Sequence, residues 1–203
     1  MIKAKLVIIP YNLPQSWVCD YIQQTGKILS QKNTVISFLW QDSFSLREII
    51  LKRITRKKKF VFIRKKSSLI IYTPIHFIPF KRFKLVRRIN LWINLFIIRF
   101  IISKDKNLAQ KEKILWIFDP EQNNLVGKFG EDLSLYDCVD FYSSIDPVED
   151  NVKKGNERKL IKKVNIVFTN SSVLYRLKKK LHPKVFQVPQ GCNVDLFLKM
   201  KKQ

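Results

Sequence analysis

Three aspartates of this sequence stand where apolar runs end. Asp119 closes "KILWIFD", while Asp137 and Asp140 lie in "LYDCVD". Both runs are predicted to be strands of a parallel sheet, and ligands bind at the carboxyl ends of such strands. A carboxylate there orients or deprotonates a hydroxyl group. An aspartate in the same position also caps the turn or helix that follows, so both interpretations stay open for each residue.

A second group of polar residues follows the last two predicted strands. Ser171 and Ser172 precede the helical pattern "VLYRLKKKL". Ser171 is expected to cap that helix, and the amide groups at the helix start can also line the cleft. The turn from Gln190 to Asn193 follows "KVFQVP". The patterns GxGxxG and GxxxxGK[ST] do not occur, so the sequence supports neither a dinucleotide site nor a P-loop.

No metal site is predicted. His76 and His182 stand alone among apolar or basic neighbours, without partners for a metal or a triad. The cysteines are far apart and lack the CxxC spacing of zinc ligands, which argues against a disulfide framework and fits a reducing cytosol. The start, "MIKAKLVIIPYNLP", has no secretory cleavage site. The expected location is cytoplasmic.

Positive charge is the outlying property of the composition. The chain has 39 Lys and Arg against 16 Asp and Glu, a net charge of +23. This excess implies an anionic partner, although a general bias towards lysine-rich composition is an alternative. Two segments, Lys52 to Lys66 and Lys81 to Arg99, interleave cations with aromatic residues. Such segments bind anionic bilayers or single-stranded nucleic acid, or form a solvated basic face. Nucleic acid ranks last because no recognition motif accompanies the charge.

The second basic segment favours a bilayer surface. Its apolar stretch, Leu85 to Ile102, is nearly long enough to span a membrane, but three arginines interrupt it, which disfavours a transmembrane helix. A helix lying in the interface would instead place Trp92 among the lipids while Arg87, Arg88 and Arg99 meet headgroups. These four residues are predicted to face a membrane, peripherally on its inner side.

Apolar β-rich runs alternate with helical patterns along the chain. Runs such as "KLVIIP", "NTVISFLW", "SLIIYTP", "KILWIFDP" and "NIVFTN" predict strands, and the fully apolar "LVIIP" and "NIVF" suit strands buried on both sides. A long helix is predicted from about Phe83 to Ser103. Shorter helices are expected in "SFSLREIILKRI" and in "EQNNLVGKFG", the latter closed by Gly130. The stretch "DPVEDNVKKGN" is expected to be a polar loop. This order predicts one α/β domain, a Rossmann-like doubly wound, mostly parallel sheet with helices on both faces.

Four stretches of the last third form a recognisable pattern: "ILWIFDP", "LYDCVDFY", "ERKLIKKVNIVFTNSSVL" and "VPQGCNVDLF". Together, the residues from Lys113 to Phe197 resemble the N-terminal, acceptor-side domain of GT-B glycosyltransferases of the group 1 or family 4 type, similar to sugar transferases of the cell envelope. The sequence departs from that pattern in having Asn165 for an aspartate and Asn193 for the aspartate of the Pro-Asn-Gly-Val-Asp turn. It also has "PYNLPQSW" where a glycine-rich loop is common.

The resemblance implies transfer of a sugar from a nucleotide-sugar donor to an envelope polysaccharide or lipid-linked acceptor. It implies Asp140 as the catalytic base or as a contact of the acceptor, the latter alone in a retaining enzyme. Neither an essential metal nor a cofactor bound by this half is expected. The other implied site residues are Asp119, Asp137 and Ser171 for the acceptor, and Pro189, Gln190, Gly191 and Asn193 for the hinge turn.

The same resemblance predicts that residues 1–197 form the acceptor-side domain and that residues 198–203 begin an interdomain linker. The donor-binding domain would then be missing or separately encoded, and this chain alone is expected to be inactive. The competing hypothesis is a basic α/β module without catalytic activity that binds an anionic membrane surface or nucleic acid.

Overall fold

The apolar runs form the strands of an α/β sandwich. The computed structural model describes residues 4–11, 21–38, 44–45, 63–79, 82–142, 145–189 and 191. The strands are β1 (Leu6–Ile9), β2 (Thr34–Ser37), β3 (Phe44–Ser45), β4 (Ile63–Lys66), β5 (Leu69–Tyr72), β6 (Ile75–His76), β7 (Lys113–Ile117), β8 (Leu133–Cys138), β9 (Ile166–Thr169) and β10 (Val185–Gln187). The helices are α1 (Tyr21–Lys32), α2 (Lys84–Lys104), α3 (Lys106–Ala109), α4 (Pro147–Lys163) and α5 (Ser172–Lys179), with a 3-10 helix at Pro120–Gln122.

Eight strands form one sheet in the order β10-β9-β8-β7-β1-β2-β5-β4. All neighbours pair in parallel except β4, which runs antiparallel to β5 at the edge. The chain builds outward from β1 through β2 to β5, then returns to the other side of β1 and continues through β7 to β10. The topological switch point therefore lies between β1 and β7. The predicted Rossmann-like doubly wound fold is confirmed.

Both faces of the sheet are covered by helices. On the major face, buried side chains of α2, α4 and α5 pack against the strands in one apolar cluster. On the minor face, α1 packs against β1 and β2. The alternation of side chains along each strand divides them between the two faces, which is why continuous apolar runs such as "LVII" of β1 are fully buried.

The stretch "DPVEDNVKKGN" is not a loop, as the sequence predicted, but the first turns of α4. Asp146 caps this helix, because its Oδ1 accepts hydrogen bonds from the amides of Val148 (2.8 Å) and Glu149 (2.9 Å). Pro147 occupies the first turn, where a missing N–H costs nothing. Ion pairs one turn apart, Lys153–Glu149 and Lys154–Asp150, add support along the exposed side. The polar composition thus belongs to a capped, solvent-facing helix start.

Two shorter helices also differ from expectation. In "EQNNLVGKFG" the helical part is restricted to the 3-10 turn Pro120–Gln122. Gly127 and Gly130 follow with φ of 79° and 62° in a series of turns, so Gly130 does not close a helix. In "SFSLREIILKRI", Phe44–Ser45 form β3, which pairs with β6; the remainder of that predicted helix lies outside the described residues.

Two asparagines attach α2 to the chain segment after β5. Asn94 accepts hydrogen bonds from the Tyr72 hydroxyl (2.6 Å) and the Ile75 amide (2.9 Å), and donates to the Ile75 carbonyl (2.7 Å). One turn earlier, Asn90 pairs in the same way with the amide and carbonyl of Ile78, each at 3.0 Å. Both asparagines are buried. Each side-chain amide therefore gives one backbone residue the hydrogen-bond acceptor and donor that a neighbouring strand would otherwise provide.

A second buried polar group anchors α4 and α5 beneath β8. The Lys178 ammonium lies 2.6 Å from Oε1 of Glu157, and both residues are buried. The Tyr136 hydroxyl donates to the same oxygen at 2.8 Å. Burial, followed by nearby Cys138 and Glu157, raises the pKa of Tyr136 well above its usual value, so this phenol stays a proton donor. A buried carboxylate is tolerated here because a cation and a hydroxyl both satisfy it.

We expect Asn94→Leu to lower the free energy of unfolding by about 2–4 kcal/mol, since the amide and carbonyl of Ile75 lose their partner in the protein interior. Urea unfolding measures the change. Asn107→Leu, at an exposed position of α3, is the matched control and should change stability by less than about 0.5 kcal/mol. Equal effects of the two substitutions would show that the Asn94 bonds contribute nothing.

We expect Lys178→Met to destabilise the protein by about 3–5 kcal/mol, because Glu157 is left buried without its cation. Adding Glu157→Gln should recover part of this loss, since no charge then remains in the interior. Lys153→Met, which breaks the exposed pair with Glu149, should cost at most about 1 kcal/mol. A double variant no more stable than Lys178→Met alone would contradict the explanation.

Candidate functional site

The carboxyl ends of the parallel strands meet at one edge of the sheet, which we call the carboxyl edge. It is formed by the residues that follow β1, β7, β8, β9 and β10. Asp119 lies two residues beyond β7, and Asp140 two residues beyond β8. Ser171 follows β9, and Gly191 follows β10. Because open α/β sheets bind ligands at this edge and at the switch point, it is the candidate functional site.

Side-chain hydrogen bonds fix the carboxyl edge on both sides of β1. Gln122, buried in the 3-10 helix after β7, donates from Nε2 to the carbonyl of Pro10 at 2.5 Å. On the other side, the hydroxyl of Ser37 at the end of β2 donates to the carbonyl of Tyr11. The loop that leaves β1 is thereby held to both neighbouring strands. These bonds satisfy carbonyl groups that lie beyond the sheet ladder.

Equivalent bonds join the ends of β7, β8 and β9. The Tyr142 hydroxyl donates to the Phe118 carbonyl at 2.8 Å, and Nδ2 of Asn170 donates to the Val139 carbonyl at 2.7 Å. Asn170 lies in the stretch Thr169 to Ser172 that the strand-end rule indicated, whereas Tyr142 and Gln122 were not predicted. Their only signal in the sequence is their position just after an apolar run.

Besides burial, Asp119 and Asp140 both contribute to a raised pKa of the Tyr142 phenol. Burial raises the pKa of the Tyr142 phenol, and the charges of Asp119, Cys138, Asp140 and Glu157 raise it further. Tyr142 donates to the carbonyl of Phe118, the residue before Asp119, and follows Asp140 by two residues, so both predicted aspartates lie close to this protonated phenol. Asp140 is exposed, and Asp119 is partly buried. A hydroxyl ligand at this edge would meet the two carboxylates as acceptors, because the Tyr142 hydroxyl already donates to the Phe118 carbonyl.

Two of the predicted acceptor-binding side chains cap the helix that follows them. Oδ1 of Asp119 accepts from the Glu121 amide at 2.9 Å and caps the 3-10 helix. Oγ of Ser171 accepts from the Leu174 amide at 3.3 Å and caps α5. The capping alternative is therefore the observed geometry for both residues. Asp119 keeps its second carboxylate oxygen for a further contact.

Asp137 occupies a different environment from Asp140. It lies within β8 and is only 2% exposed. Its Oδ2 accepts hydrogen bonds from the Tyr21 hydroxyl (3.2 Å) and from Nε1 of Trp116 (3.1 Å) on the minor face. Burial raises the pKa of the Asp137 carboxyl, and these two hydrogen bonds lower it in part. Burial and the Asp137 charge raise the pKa of Tyr21 to about 12.

The remaining predicted residues lie after β10, at the end of the carboxyl edge, and on α2. Pro189 and Gly191 of the hinge turn are exposed beyond β10; Gln190 and Asn193 lie outside the described residues. Arg87, Arg88, Trp92 and Arg99 are all exposed on α2. His182 has a structural role. Its Nε2 lies 3.2 Å from the Val164 carbonyl, and its Nδ1 lies 3.2 Å from the Lys184 carbonyl.

The described residues contain neither a cluster of metal ligands nor a membrane-spanning helix. Within them, no group of three or more His, Cys, Asp or Glu side chains could hold a metal ion. None of the helices in this part of the chain is long and apolar enough to cross a bilayer.

Solved structures of similar fold include two sugar-phosphate synthases. Sucrose-phosphate synthase from Thermosynechococcus elongatus matches with a TM-score of 0.62 and 12% sequence identity over 95% of this chain. A UDP-forming α,α-trehalose-phosphate synthase from Burkholderia vietnamiensis matches with a TM-score of 0.55 and 11% identity over 97% of the chain. This chain spans 49% of each of those proteins. No protein-family model and no curated protein sequence matches it. The likeness supports a GT-B-like fold and does not identify a family.

We expect Asp137→Asn to make the protein more stable than the parent at pH 7. Burial raises the carboxyl pKa above 3.8, so the carboxyl favours the folded state below pH 3.8, and this contribution is lost as pH rises through the raised pKa. The amide oxygen can still accept from Tyr21 and Trp116. The stability difference should therefore shrink towards pH 4, as measured by urea unfolding across this range.

Glu121→Gln, at an exposed carboxylate, is the control for this pH series and should follow the parent at every pH. A parent protein that gains stability over Asp137→Asn with rising pH would show that the two hydrogen bonds outweigh burial.

Proposed function

We propose that this chain is the acceptor-side part of a glycosyltransferase that uses a nucleotide-sugar donor. The observation that carries the proposal is the carboxyl edge, where Tyr142 follows Asp140 by two residues and donates to the carbonyl of Phe118, next to Asp119. The GT-B-like fold supports it, as does the resemblance of residues 113–197 to acceptor-side domains. A sugar or a lipid-linked sugar of the cell envelope is the proposed acceptor.

In this proposal, the acceptor hydroxyl lies against Asp140. The carboxylate accepts the hydroxyl proton in a hydrogen bond, which orients the oxygen towards the anomeric carbon of the donor. In an inverting reaction Asp140 then takes the proton as the oxygen attacks and the nucleoside diphosphate leaves. In a retaining reaction Asp140 only orients the acceptor hydroxyl. Asp140 suits either task because it is exposed at a hydrogen-bonded, preorganised edge.

Asp119 and Tyr142 complete the acceptor site. The capping bond to Glu121 holds the Asp119 carboxylate in place, and its other oxygen is proposed to accept from a second sugar hydroxyl. Tyr142 donates its proton to the Phe118 carbonyl, so its oxygen retains a lone pair for a ligand. Asp137 is proposed to act indirectly by holding Trp116 and Tyr21 under the site. The donor would be bound by a second α/β domain, and the chain without it is proposed to be inactive.

Acceptor binding tests the proposal without the donor. Amide resonances of the 15N-labelled chain should be followed while octyl glucoside, octyl galactoside and octyl mannoside are added below their micelle concentrations. We expect one of them to shift the amides of Asp140 and Tyr142, and uridine diphosphate to leave those resonances unchanged. Shifts confined to residues away from the carboxyl edge, with all three glycosides, would contradict the assigned site.

Asp140→Asn should weaken binding of that glycoside by about tenfold, which corresponds to ~1.4 kcal/mol for one charge-assisted hydrogen bond. Glu121→Gln, which removes an exposed carboxylate near the same edge, is the matched control and should bind like the parent. Equal affinities of the parent and Asp140→Asn would exclude Asp140 from the acceptor site.

A further inference from the structure

The outward face of α2 carries a continuous line of large apolar side chains. Leu85, Ile89, Trp92, Phe96 and Phe100, which we call the α2 stripe, follow one another at intervals of three or four residues. All are exposed, Trp92 by 61% and Phe96 by 69%. The rings of Phe96 and Phe100 stack with centroids 6.4 Å apart. At 1.5 Å per residue the stripe is about 22 Å long, so it forms one extended apolar surface rather than scattered contacts.

The exposure of this stripe follows from how α2 is attached. Asn90 and Asn94 are buried and hydrogen-bonded to the backbone of Ile75 and Ile78. The other buried residues of α2, including Leu95, Ile98 and Ile102, lie on the same inward side. Rotating the helix to bury the stripe would break the asparagine bonds and expose those residues. The fold therefore holds the stripe towards the outside.

Cations flank the stripe along α2. The segment from Lys81 to Lys104 contains seven Lys and Arg residues and no Asp or Glu. The Lys104 ammonium lies 5.3 Å from the centre of the Phe100 ring, and the Lys128 ammonium 5.4 Å from that of Trp92. These distances are in the range of cation–π contacts. Positive charge is thus placed directly beside the apolar rings.

Two grooves beside α2 join these features. One, of about 500 Å³, is lined by Trp92, Phe96 and Phe100 together with Leu95, Ser103 and the cations Arg99 and Lys128. The other, of about 340 Å³, is lined by Lys84, Arg87, Arg88, Leu91 and Asn124. The first groove combines four apolar side chains with two cations, and the second places three cations beside Leu91. This is the chemistry that receives an acyl chain beside a phosphate group.

We propose that α2 lies flat in the surface of an anionic bilayer. The stripe enters the boundary between headgroups and acyl chains, while Arg88, Arg99 and Lys128 contact lipid phosphates. A helix with an apolar face and flanking cations binds bilayers in this orientation, and aromatic residues are stable at the headgroup level. A nucleic acid would use the cations, but it would leave Leu85 and Ile89 in water. The surface charge therefore matches lipid phosphates, and the aliphatic ends of the stripe match acyl chains.

Vesicle sedimentation tests the proposal with the chain as it exists. We expect binding to vesicles of 30% phosphatidylglycerol in phosphatidylcholine, and at least tenfold weaker binding to phosphatidylcholine alone. Binding should fall with added salt, because screening shortens to about 8 Å at physiological ionic strength and further above it. Equal binding to both vesicle types, or binding to neither, would overturn the proposal.

Paired variants separate the stripe from general charge. Trp92→Ser combined with Phe96→Ser, and Arg88→Gln combined with Arg99→Gln, should each weaken binding by at least about tenfold. The apolar control, Val148→Ser with Val152→Ser, and the charge control, Lys159→Gln with Lys162→Gln, alter exposed positions of α4 and should bind within about threefold of the parent. Controls as weak as the α2 variants would show that net charge or general hydrophobicity governs binding.

Fluorescence quenching tests how deeply the stripe inserts, and two further measurements test other partners. Brominated acyl chains should quench tryptophan emission in the parent, and Trp92→Phe should abolish most of that quenching while sedimentation is retained. Quenching that is unchanged in Trp92→Phe would refute insertion of the stripe. A dimer of the parent that dissociates on Trp92→Ser with Phe96→Ser, or tight binding of single-stranded RNA that those substitutions weaken, would assign the stripe to a different partner and overturn the proposal.

Discussion

The structure depends on the pairing of two asparagine side chains with a stretch of buried backbone. The segment after β5 leaves the main sheet, and the amides of Asn90 and Asn94 supply partners for the amide and carbonyl groups of Ile75 and Ile78. Buried backbone groups that lose such partners destabilise a fold strongly. Because the two asparagines are one turn apart, they fix both the position of α2 and its rotation. What α2 buries and what it presents to solvent follow from this single constraint.

The carboxyl edge depends on a similar division between inside and outside. Tyr136, Asp137 and Cys138 lie in consecutive positions of β8, so their side chains alternate between the two faces of the sheet. Tyr136 joins the buried Glu157–Lys178 pair on the major face, whereas Asp137 holds Tyr21 and Trp116 on the minor face. These contacts on the two faces of the sheet together fix the position of β8. Asp140, two residues beyond the strand, is therefore presented to solvent on a rigid support.

The sequence predicted what depends on local pattern and missed what depends on distant partners. Apolar branched runs such as "LVII" and "IVFT" are strands for the expected reason, and α2 begins and ends within one residue of its predicted bounds. The start of α4 was taken for a loop because its polar residues cap the helix and pair along its exposed side. The burial of Asp137 could not be predicted, since it requires Tyr21 and Trp116, which are 116 and 21 residues away in the sequence. Asn94 was equally hidden within an apolar run.

The two proposals meet at the amino end of α2. This helix leads from the segment after β5, at the carboxyl edge, back towards the start of β7, so its first turns lie nearest that edge. Arg87 and Arg88 share a groove with Asn124, two residues after Gln122, whose side chain holds the Pro10 carbonyl at the switch point. A bilayer that receives the α2 stripe would therefore have its headgroups near the groove that leads to this edge. A sugar carried on a lipid would approach Asp140 within the plane of the membrane, where the stripe itself would hold the protein. On this geometry, membrane attachment and acceptor selection would be two consequences of one fixed helix rotation.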